Sequence, residues 1–205
     1  MKIRIVVFDG VNELDFVGPY EVFRRAAKQV PELDVRMVTL EPQAEVTAAC
    51  GLRFPPDGVL EDGADLLIVP GGGWAAGAGK SIRREVERGV LPEKVRAAHS
   101  RGALIAGICT GAMAVAAAGL LRGRPAITHR SAIEDLRAAG ARVTESRVVD
   151  DGEIVTCGGV TASIDLSLWL VERLWGAKIA TKIANGIEHA RSSEVHVSGR
   201  AQHAP

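Results

Sequence analysis

The chain has 205 residues, enough for one domain with a substantial core, and it contains no internal repeat or low-complexity segment. Its 25 Lys and Arg residues equal its 25 Asp and Glu residues, so charge gives no reason to expect a nucleic acid or a membrane surface as partner. No apolar run approaches the roughly 18 residues of a membrane span, and no leader precedes the first predicted strand. We therefore expect a cytoplasmic protein that acts on a small molecule.

Apolar β patterns alternate with helical patterns along the chain. Strands are predicted at residues 2–8, 34–40, 65–69 and 103–106. Helices are predicted at residues 19–28, at 81–99 with a kink near 89–92, and at 110–121, 131–139, 161–175 and 177–187. This alternation predicts an α/β fold, in which a mostly parallel sheet carries helices on both faces as a three-layer sandwich.

Shorter elements fill the rest of the chain. Residues 44–54 are predicted to form a small hairpin appended to the sheet, and residues 145–156 a second hairpin. A short strand is predicted at residues 124–128. Residues 1–195 would then form one domain, followed by an unpacked, flexible tail at residues 196–205.

The cysteines have neither the number nor the spacing of a disulfide framework or a zinc site. There are three of them, Cys50, Cys109 and Cys157. We expect no metal and no cofactor, and we expect packing to explain Cys50.

Cys109 lies in the most informative motif of the chain, Gly107-Ile108-Cys109-Thr110-Gly111, at the junction of a predicted strand and a predicted helix. Glycines two residues on either side let a strand and a helix approach closely, while the central residue takes a strained conformation at the helix N-terminus. The helix dipole and free N–H groups there predict a thiol pKa below about 8.5. We interpret Cys109 as a nucleophile rather than as an inert buried cysteine.

A glycine loop follows another predicted strand end, which is where open α/β sheets bind ligands. Its sequence is Pro70-Gly71-Gly72-Gly73. Unobstructed N–H groups in such a loop predict an oxyanion site, in which Gly72 and the N–H of Thr110 would be the donors. The other interpretation is a flexible glycine turn.

Asp15 lies among apolar residues immediately before the first predicted helix. One interpretation is a charge that stabilises the helix dipole. The other is a desolvated carboxyl group, whose raised pKa lets it give a proton as well as take one. The flanking residues leave both interpretations open.

Two further residues are accessory candidates. His129 follows a predicted strand end, so a Cys109–His129 pair is one interpretation. We favour a surface or capping histidine, because no third residue is evident that would orient the ring. Cys157 precedes two glycines and a predicted helix, and this segment is expected to approach the site.

Seven segments of the chain together resemble the ThiJ/PfpI superfamily, whose fold is flavodoxin-like and class I glutamine amidotransferase-like. They are residues 14–19, 69–72, 107–111, 117–121, 128–129, 147–152 and 156–165. The pairing of Leu14-Asp15 and Gly18-Pro19 with Cys109-Thr110-Gly111 is most similar to isocyanide hydratases and to the amidotransferase-like domains of AraC-type regulators. The resemblance implies that Cys109 is the nucleophile, that Asp15 is an acid hydrogen-bonded to it, and that the protein is a homodimer.

The chain also departs from some branches of this superfamily. Intracellular proteases and glyoxalase-type members carry histidine at the position of Thr110, so protease activity is disfavoured. Members similar to the Parkinsonism-associated deglycase have glutamate in place of Asp15. The regulators carry an additional helix-turn-helix region, and after Pro205 this sequence offers none, so direct DNA binding is not expected.

The resemblance therefore implies a hydratase that converts an organic isocyanide to an N-substituted formamide. Cys109 would be the nucleophile, Asp15 the general acid and base, and Thr110 a backbone donor. One alternative is a redox or small-molecule sensor that uses an oxidisable Cys109. A further alternative is glyoxalase or deglycase chemistry, which would predict a histidine base.

Overall fold

The computed structural model describes residues 1–75 and 79–199. Within these ranges a single eight-stranded sheet forms the centre of the molecule, in the order β12-β10-β11-β7-β6-β1-β2-β5. Its strands are β1 (Lys2–Val6), β2 (Asp34–Thr39), β5 (Gly58–Val59), β6 (Leu66–Val69), β7 (Leu104–Ile108), β10 (Val148–Asp150), β11 (Ile154–Cys157) and β12 (Val195–Val197). All neighbours are parallel except β10 and β11.

Two layers of helices cover the sheet. They are α1 (Glu13–Ala27), α2 (Ile82–Arg88), α3 (Val90–Ser100), α4 (Ala112–Ala117), α5 (Ile133–Ala138), α6 (Ala162–Trp175) and α7 (Ala177–Gly186). Helices α1, α6 and α7 pack together as one layer, whereas α2, α3 and α4 pack together as the other. The predicted three-layer α/β sandwich with a mostly parallel sheet is therefore confirmed. None of the helices within residues 1–75 and 79–199 combines the length and the hydrophobicity that a membrane span requires.

The central strands are buried on both faces, as is typical of parallel strands that carry helices above and below. Every residue of β6 is buried, and so are four of the five residues of β7. This is why their sequences are continuous apolar runs rather than alternating patterns. Parallel pairing of β6 with β7 places the carboxyl ends of the two strands side by side, with Val69 opposite Gly107.

The two predicted hairpins are present. Strands β3 (Val46–Thr47) and β4 (Arg53–Phe54) are antiparallel, but they form a separate sheet rather than an appendage of the central one. Cys50, in the turn between them, is exposed, so the expectation that packing explains it is wrong. Strands β10 and β11 form the second hairpin within the central sheet. The strand predicted at residues 124–128 is shorter, β8 (Pro125–Ala126), and it pairs with β9 (Arg142–Val143) outside the central sheet.

The first helix begins six residues earlier than predicted. The prediction took Pro19 as the first helical residue, but the helix begins at Glu13 and contains Pro19. A proline inside a helix removes one backbone hydrogen bond, and burial of Phe16, Val22 and Phe23 along one face outweighs that loss. As a consequence Asp15 lies in the first helical turn.

The beginning of the predicted tail is also ordered, which corrects the sequence-based boundary at residue 195. Val195–Val197 form the edge strand β12, in which His196 pairs with Val149. The N–H of Ser198 donates to the carbonyl oxygen of Asp150 at 2.9 Å. A three-residue strand carries too little periodicity to be read from sequence. Residues 200–205 of the predicted tail lie outside the described residues.

Candidate active site

The backbone around Cys109 makes a sharp turn between β7 and α4. Cys109 has φ of +55°, a conformation that non-glycine residues rarely adopt, and it opens a short 3₁₀ turn that leads into α4. A Cβ atom at Gly111 would lie 2.0 Å from the carbonyl oxygen of Val69, and one at Gly107 would lie 3.0 Å from Cα of Ala112. Only glycine fits at Gly111, so the predicted elbow geometry is confirmed.

Asp15 reaches the elbow from the first turn of α1 and is completely buried. Its Oδ2 accepts a hydrogen bond from the N–H of Gly71 at 3.1 Å. Its Oδ1 has no partner of hydrogen-bond geometry in the described part of the chain. Burial raises the pKa of Asp15 to about 7, although interactions with the Cys109 thiol and the Gly71 N–H lower it. The carboxyl group can therefore both give and take a proton near neutral pH.

The thiol of Cys109 is also buried, and this reverses the predicted direction of its pKa. Burial and the charge of Asp15 raise the pKa of Cys109 to about 12, although the N–H groups of Val160 and Thr110 lower it. The sequence-based prediction of a lowered thiol pKa considered only the helix end and was wrong, because desolvation and the neighbouring carboxylate outweigh it. Both effects favour the protonated thiol in the resting site.

Thr110 ties the elbow to the glycine loop. Its Oγ1 accepts from the N–H of Gly72 at 3.1 Å and donates to the carbonyl oxygen of Gly72 at 2.8 Å. The N–H of Gly72 is thus already engaged, unlike the free oxyanion donor that the sequence predicts. At Gly71 a Cβ atom would lie 2.6 Å from Oγ1 of Thr110 and 2.8 Å from Oδ2 of Asp15. The loop is therefore held rather than flexible.

The segment before α6 supplies a donor that the sequence-based reasoning did not name. The N–H of Val160 interacts with the Cys109 sulfur, and Val160 itself has φ of +47°. The glycine pair before it had indicated only that this segment approaches the site. Cys157, completely buried beneath the elbow, interacts through its own sulfur with the backbone N–H of Cys109.

His129 behaves as a capping residue. Its Nδ1 accepts from the N–H of Ser131 at 3.2 Å and lies 2.8 Å from Oγ of Ser131. Burial and the charge of Arg130 lower its pKa. The ring packs against Gly159, where a Cβ atom would lie 2.2 Å from Cδ2 of His129. These contacts agree with the capping interpretation, which we favoured over a Cys109–His129 pair.

An open pocket of about 380 Å³ lies beside the elbow. It is lined by Ile127, Thr128, His129, Arg130, Ile133, Gly158, Gly159 and Val160. Two contacts join it to Cys109: the Val160 N–H to sulfur, and Oγ1 of Thr128, which donates to the carbonyl oxygen of Cys109 at 2.8 Å. Its isoleucine and valine side chains suit an apolar substrate. Among the described residues no cluster of His, Cys, Asp and Glu is arranged to hold a metal ion.

A buried cysteine at a strand–helix elbow, with a buried carboxyl group beside it, defines the candidate site of this α/β protein. The chain belongs to the DJ-1/PfpI family, whose model matches residues 1–173. The resemblance to the ThiJ/PfpI superfamily that the sequence motifs indicate is therefore confirmed.

The names of individual relatives do not indicate one common function. The chain is 33% identical over 192 residues to isonitrile hydratase of Pseudomonas putida, covering 93% of this chain and 79% of that protein. It is 29% identical over 185 residues to the Parkinson disease protein 7 homolog of Danio rerio, covering 87% and 92%. A crystal structure of a ThiJ/PfpI family protein from Pseudomonas syringae superposes with a TM-score of 0.82 at 27% identity, covering 93% and 76%.

Proposed function

We propose that this protein is a cysteine-dependent hydratase that converts an organic isocyanide to an N-substituted formamide. The observation that carries the proposal is the Cys109–Asp15 pair: a thiol at the strand–helix elbow beside a completely buried carboxyl group, whose burial raises its pKa to about 7. Such a pair can move one proton between sulfur and a substrate atom without a histidine. Similarity to isonitrile hydratase supports the same reaction class.

The first half of the reaction forms a covalent intermediate. Above pH 7 the pair holds one proton, on sulfur, and Asp15 is a carboxylate. As the Cys109 sulfur attacks the terminal isocyanide carbon, Asp15 takes the thiol proton and delivers it to that same carbon. One S–C bond and one C–H bond form, giving a thioimidate. The N–H groups of Thr110 and Val160 stabilise the charge that develops on sulfur.

The second half consumes water. Asp15 takes a proton from a water molecule as the water oxygen adds to the thioimidate carbon, and it delivers that proton to the substrate nitrogen. The S–C bond then breaks, Asp15 carries the hydroxyl proton of the intermediate to sulfur, and the formamide leaves. In sum one isocyanide and one water give one formamide, and the enzyme returns to its starting state. The apolar pocket beside Val160 would hold the substituent on nitrogen.

The competing functions have less support in this site. A redox sensor requires a readily formed thiolate, whereas burial and Asp15 raise the pKa of Cys109 to about 12. Glyoxalase or deglycase chemistry with a histidine base would use His129, whose Nδ1 is bonded to Ser131. We therefore favour the hydratase over both alternatives, and one experiment distinguishes the three functions.

The test is formamide production from a panel of alkyl isocyanides, with methylglyoxal as the competing substrate. Turnover of the isocyanides should disappear in Cys109→Ala, which lacks the nucleophile. It should fall by about 100-fold or more in Asp15→Asn, which keeps an acceptor for the Gly71 N–H but cannot carry a proton.

Cys50→Ala and Asp62→Asn are matched controls, because both residues are exposed and neither contacts Cys109 or Asp15 in the described part of the chain. Both should keep wild-type turnover. Robust hydration by either site variant would contradict the mechanism. Lactate formation from methylglyoxal without any formamide would favour the glyoxalase function, and selective addition of oxygen to Cys109 by mild peroxide, again without formamide, would favour the sensor.

A further inference from the structure

Val160 has a backbone conformation that requires support from its surroundings. A φ of +47° at a β-branched residue is a marked outlier and an unfavourable backbone conformation. Yet this conformation directs the Val160 N–H toward the Cys109 sulfur. Residues in such conformations persist only where neighbouring contacts hold them. Contacts on either side of Val160 must therefore hold the chain in this conformation.

Arg147 makes contacts on both sides. Before Val160, the carbonyl oxygen of Arg147 accepts from the N–H of Gly158 at 3.1 Å. After Val160, Nη2 of Arg147 donates to Oγ1 of Thr161 at 3.0 Å. Its Nε donates to Oδ2 of Asp165, one turn into α6, at 2.5 Å. One arginine thus holds the loop and the start of α6 in a fixed relation.

Asp165 is itself anchored, so the guanidinium of Arg147 has a fixed partner. The carboxylate is buried, and its Oδ1 lies 2.9 Å from Nε2 of His189 and accepts from the N–H of Ser192 at 3.0 Å. Both oxygens are therefore engaged. The planar fork of Arg147 donates to Oδ2 of Asp165 and to Oγ1 of Thr161 in one fixed geometry, which the single ammonium of a lysine does not reproduce.

We propose that Arg147 is a positioning residue, which holds Val160 in its strained conformation so that the Val160 N–H remains a donor to the Cys109 sulfur. Arg147 acts on the nucleophile through the backbone of Val160. The effect of Arg147 on isocyanide turnover rests on the proposed hydratase function. The effect of Arg147 on the reactivity of the Cys109 thiol does not rest on it, because alkylation of the sulfur involves the same Val160 donor and no isocyanide.

The experiment measures alkylation of Cys109 by iodoacetamide against pH in the intact protein. All variants carry Cys50→Ala, so that the exposed thiol of Cys50 does not contribute. The titratable groups facing the Cys109 sulfur, Asp15 and Cys157, stay unchanged. Arg147→Lys should slow alkylation of Cys109 at pH 8 roughly tenfold and shift the pH profile of alkylation to higher pH. This loss of rate is smaller than the loss expected when a donor is deleted, because the Val160 N–H is displaced and not removed.

Arg124→Lys is the matched control. Nε of Arg124 bonds to Oδ2 of the buried Asp151 at 2.5 Å, the same arrangement and length as in the pair of Arg147 and Asp165. Arg124 has no hydrogen bond to the segment around Val160 among the described contacts. Its replacement should leave the alkylation profile unchanged. Equal profiles for Arg147→Lys and Arg124→Lys would overturn the proposal.

A milder pair of variants tests the same contact with less risk to folding. Thr161→Val removes the hydroxyl that accepts from Arg147, whereas Thr161→Ser keeps it, and the residue is exposed. Alkylation should slow in Thr161→Val and stay at the wild-type rate in Thr161→Ser. If both behave as wild type, Arg147 does not position Val160. If isocyanide turnover is absent while the alkylation pattern holds, the proposed function fails and this inference stands.

Discussion

The carboxyl group of Asp15 occupies a position that suits proton transfer and lowers the stability of the fold. The side chain is completely buried, one oxygen bonds to the Gly71 N–H, and the other has no partner of hydrogen-bond geometry in the described residues. Desolvation penalises the charged form and raises the pKa to about 7. A proton carrier with that pKa is useful near neutral pH, and the same desolvation makes the ionised residue a destabilising one.

Asp15→Asn should therefore stabilise the protein increasingly as pH rises from 3.8 to about 7, and most above that. Below pH 3.8 the carboxyl group is protonated in both the folded and the unfolded chain, so burial carries no charge penalty. Between pH 3.8 and about 7 the unfolded chain releases its proton first, and the wild type loses stability as pH rises. Above about pH 7 the full penalty applies, at most about 4 kcal/mol. Urea unfolding at pH 4.5 and pH 8 measures the difference.

The control for this comparison is Asp62→Asn, because Asp62 is exposed in an ion pair with Arg101. Its free energy of unfolding should follow that of the wild type at both pH values. If Asp15→Asn also followed the wild type at both, the carboxyl group would not be a desolvated acid.

At the scale of elements, the elbow depends on how closely a strand end approaches a helix start. Gly111→Ala should be destabilising by about 3 kcal/mol or more, because its Cβ would lie 2.0 Å from a backbone oxygen that cannot move freely. Gly158→Ala is the matched control in the same site, since a Cβ there meets no atom within 4 Å. Its change should stay within about 0.5 kcal/mol. Thermal unfolding of the two variants and the wild type measures the difference. Similar melting temperatures for Gly111→Ala and Gly158→Ala would show that the elbow tolerates a side chain.

Sequence patterns located most elements, and the exceptions have identifiable causes. Long apolar strands such as β6 and β7 are visible because burial on both faces demands continuous hydrophobic residues. Helix α1 begins earlier than predicted because packing of its apolar face outweighs the usual effect of Pro19. Strand β12 was missed because its three residues are held by pairing with β10 and not by their own pattern.

For the whole molecule, the family resemblance leads us to propose a homodimer. Light scattering should then give twice the mass of one chain. Three exposed apolar side chains lie near one another, Leu14 and Val17 on α1 and Leu52 on the adjoining hairpin, whose N–H groups bond to Glu13. The double variant Leu14→Glu, Val17→Glu should reduce the mass to one chain, because each charge would be buried on association.

Val59→Glu serves as the control, because Val59 is about as exposed as Val17 but lies on the edge strand β5. It should keep the dimer. A wild type that scatters as a single chain would rule the dimer out, and a double variant that stays dimeric would place the interface elsewhere.

Residue types and their spacing were enough to predict the α/β sandwich, the elbow at Cys109 and the candidacy of Asp15, because periodicity, glycine placement and apolar flanks are local properties. The pKa values of this pair were not predictable. The Cys109 thiol lies between a buried carboxylate and the Val160 N–H, which come from segments distant in the chain. Desolvation and Coulomb interactions depend on every neighbour in space, so only the tertiary structure decided that sulfur keeps its proton and that Asp15 is the group titrating near neutral pH.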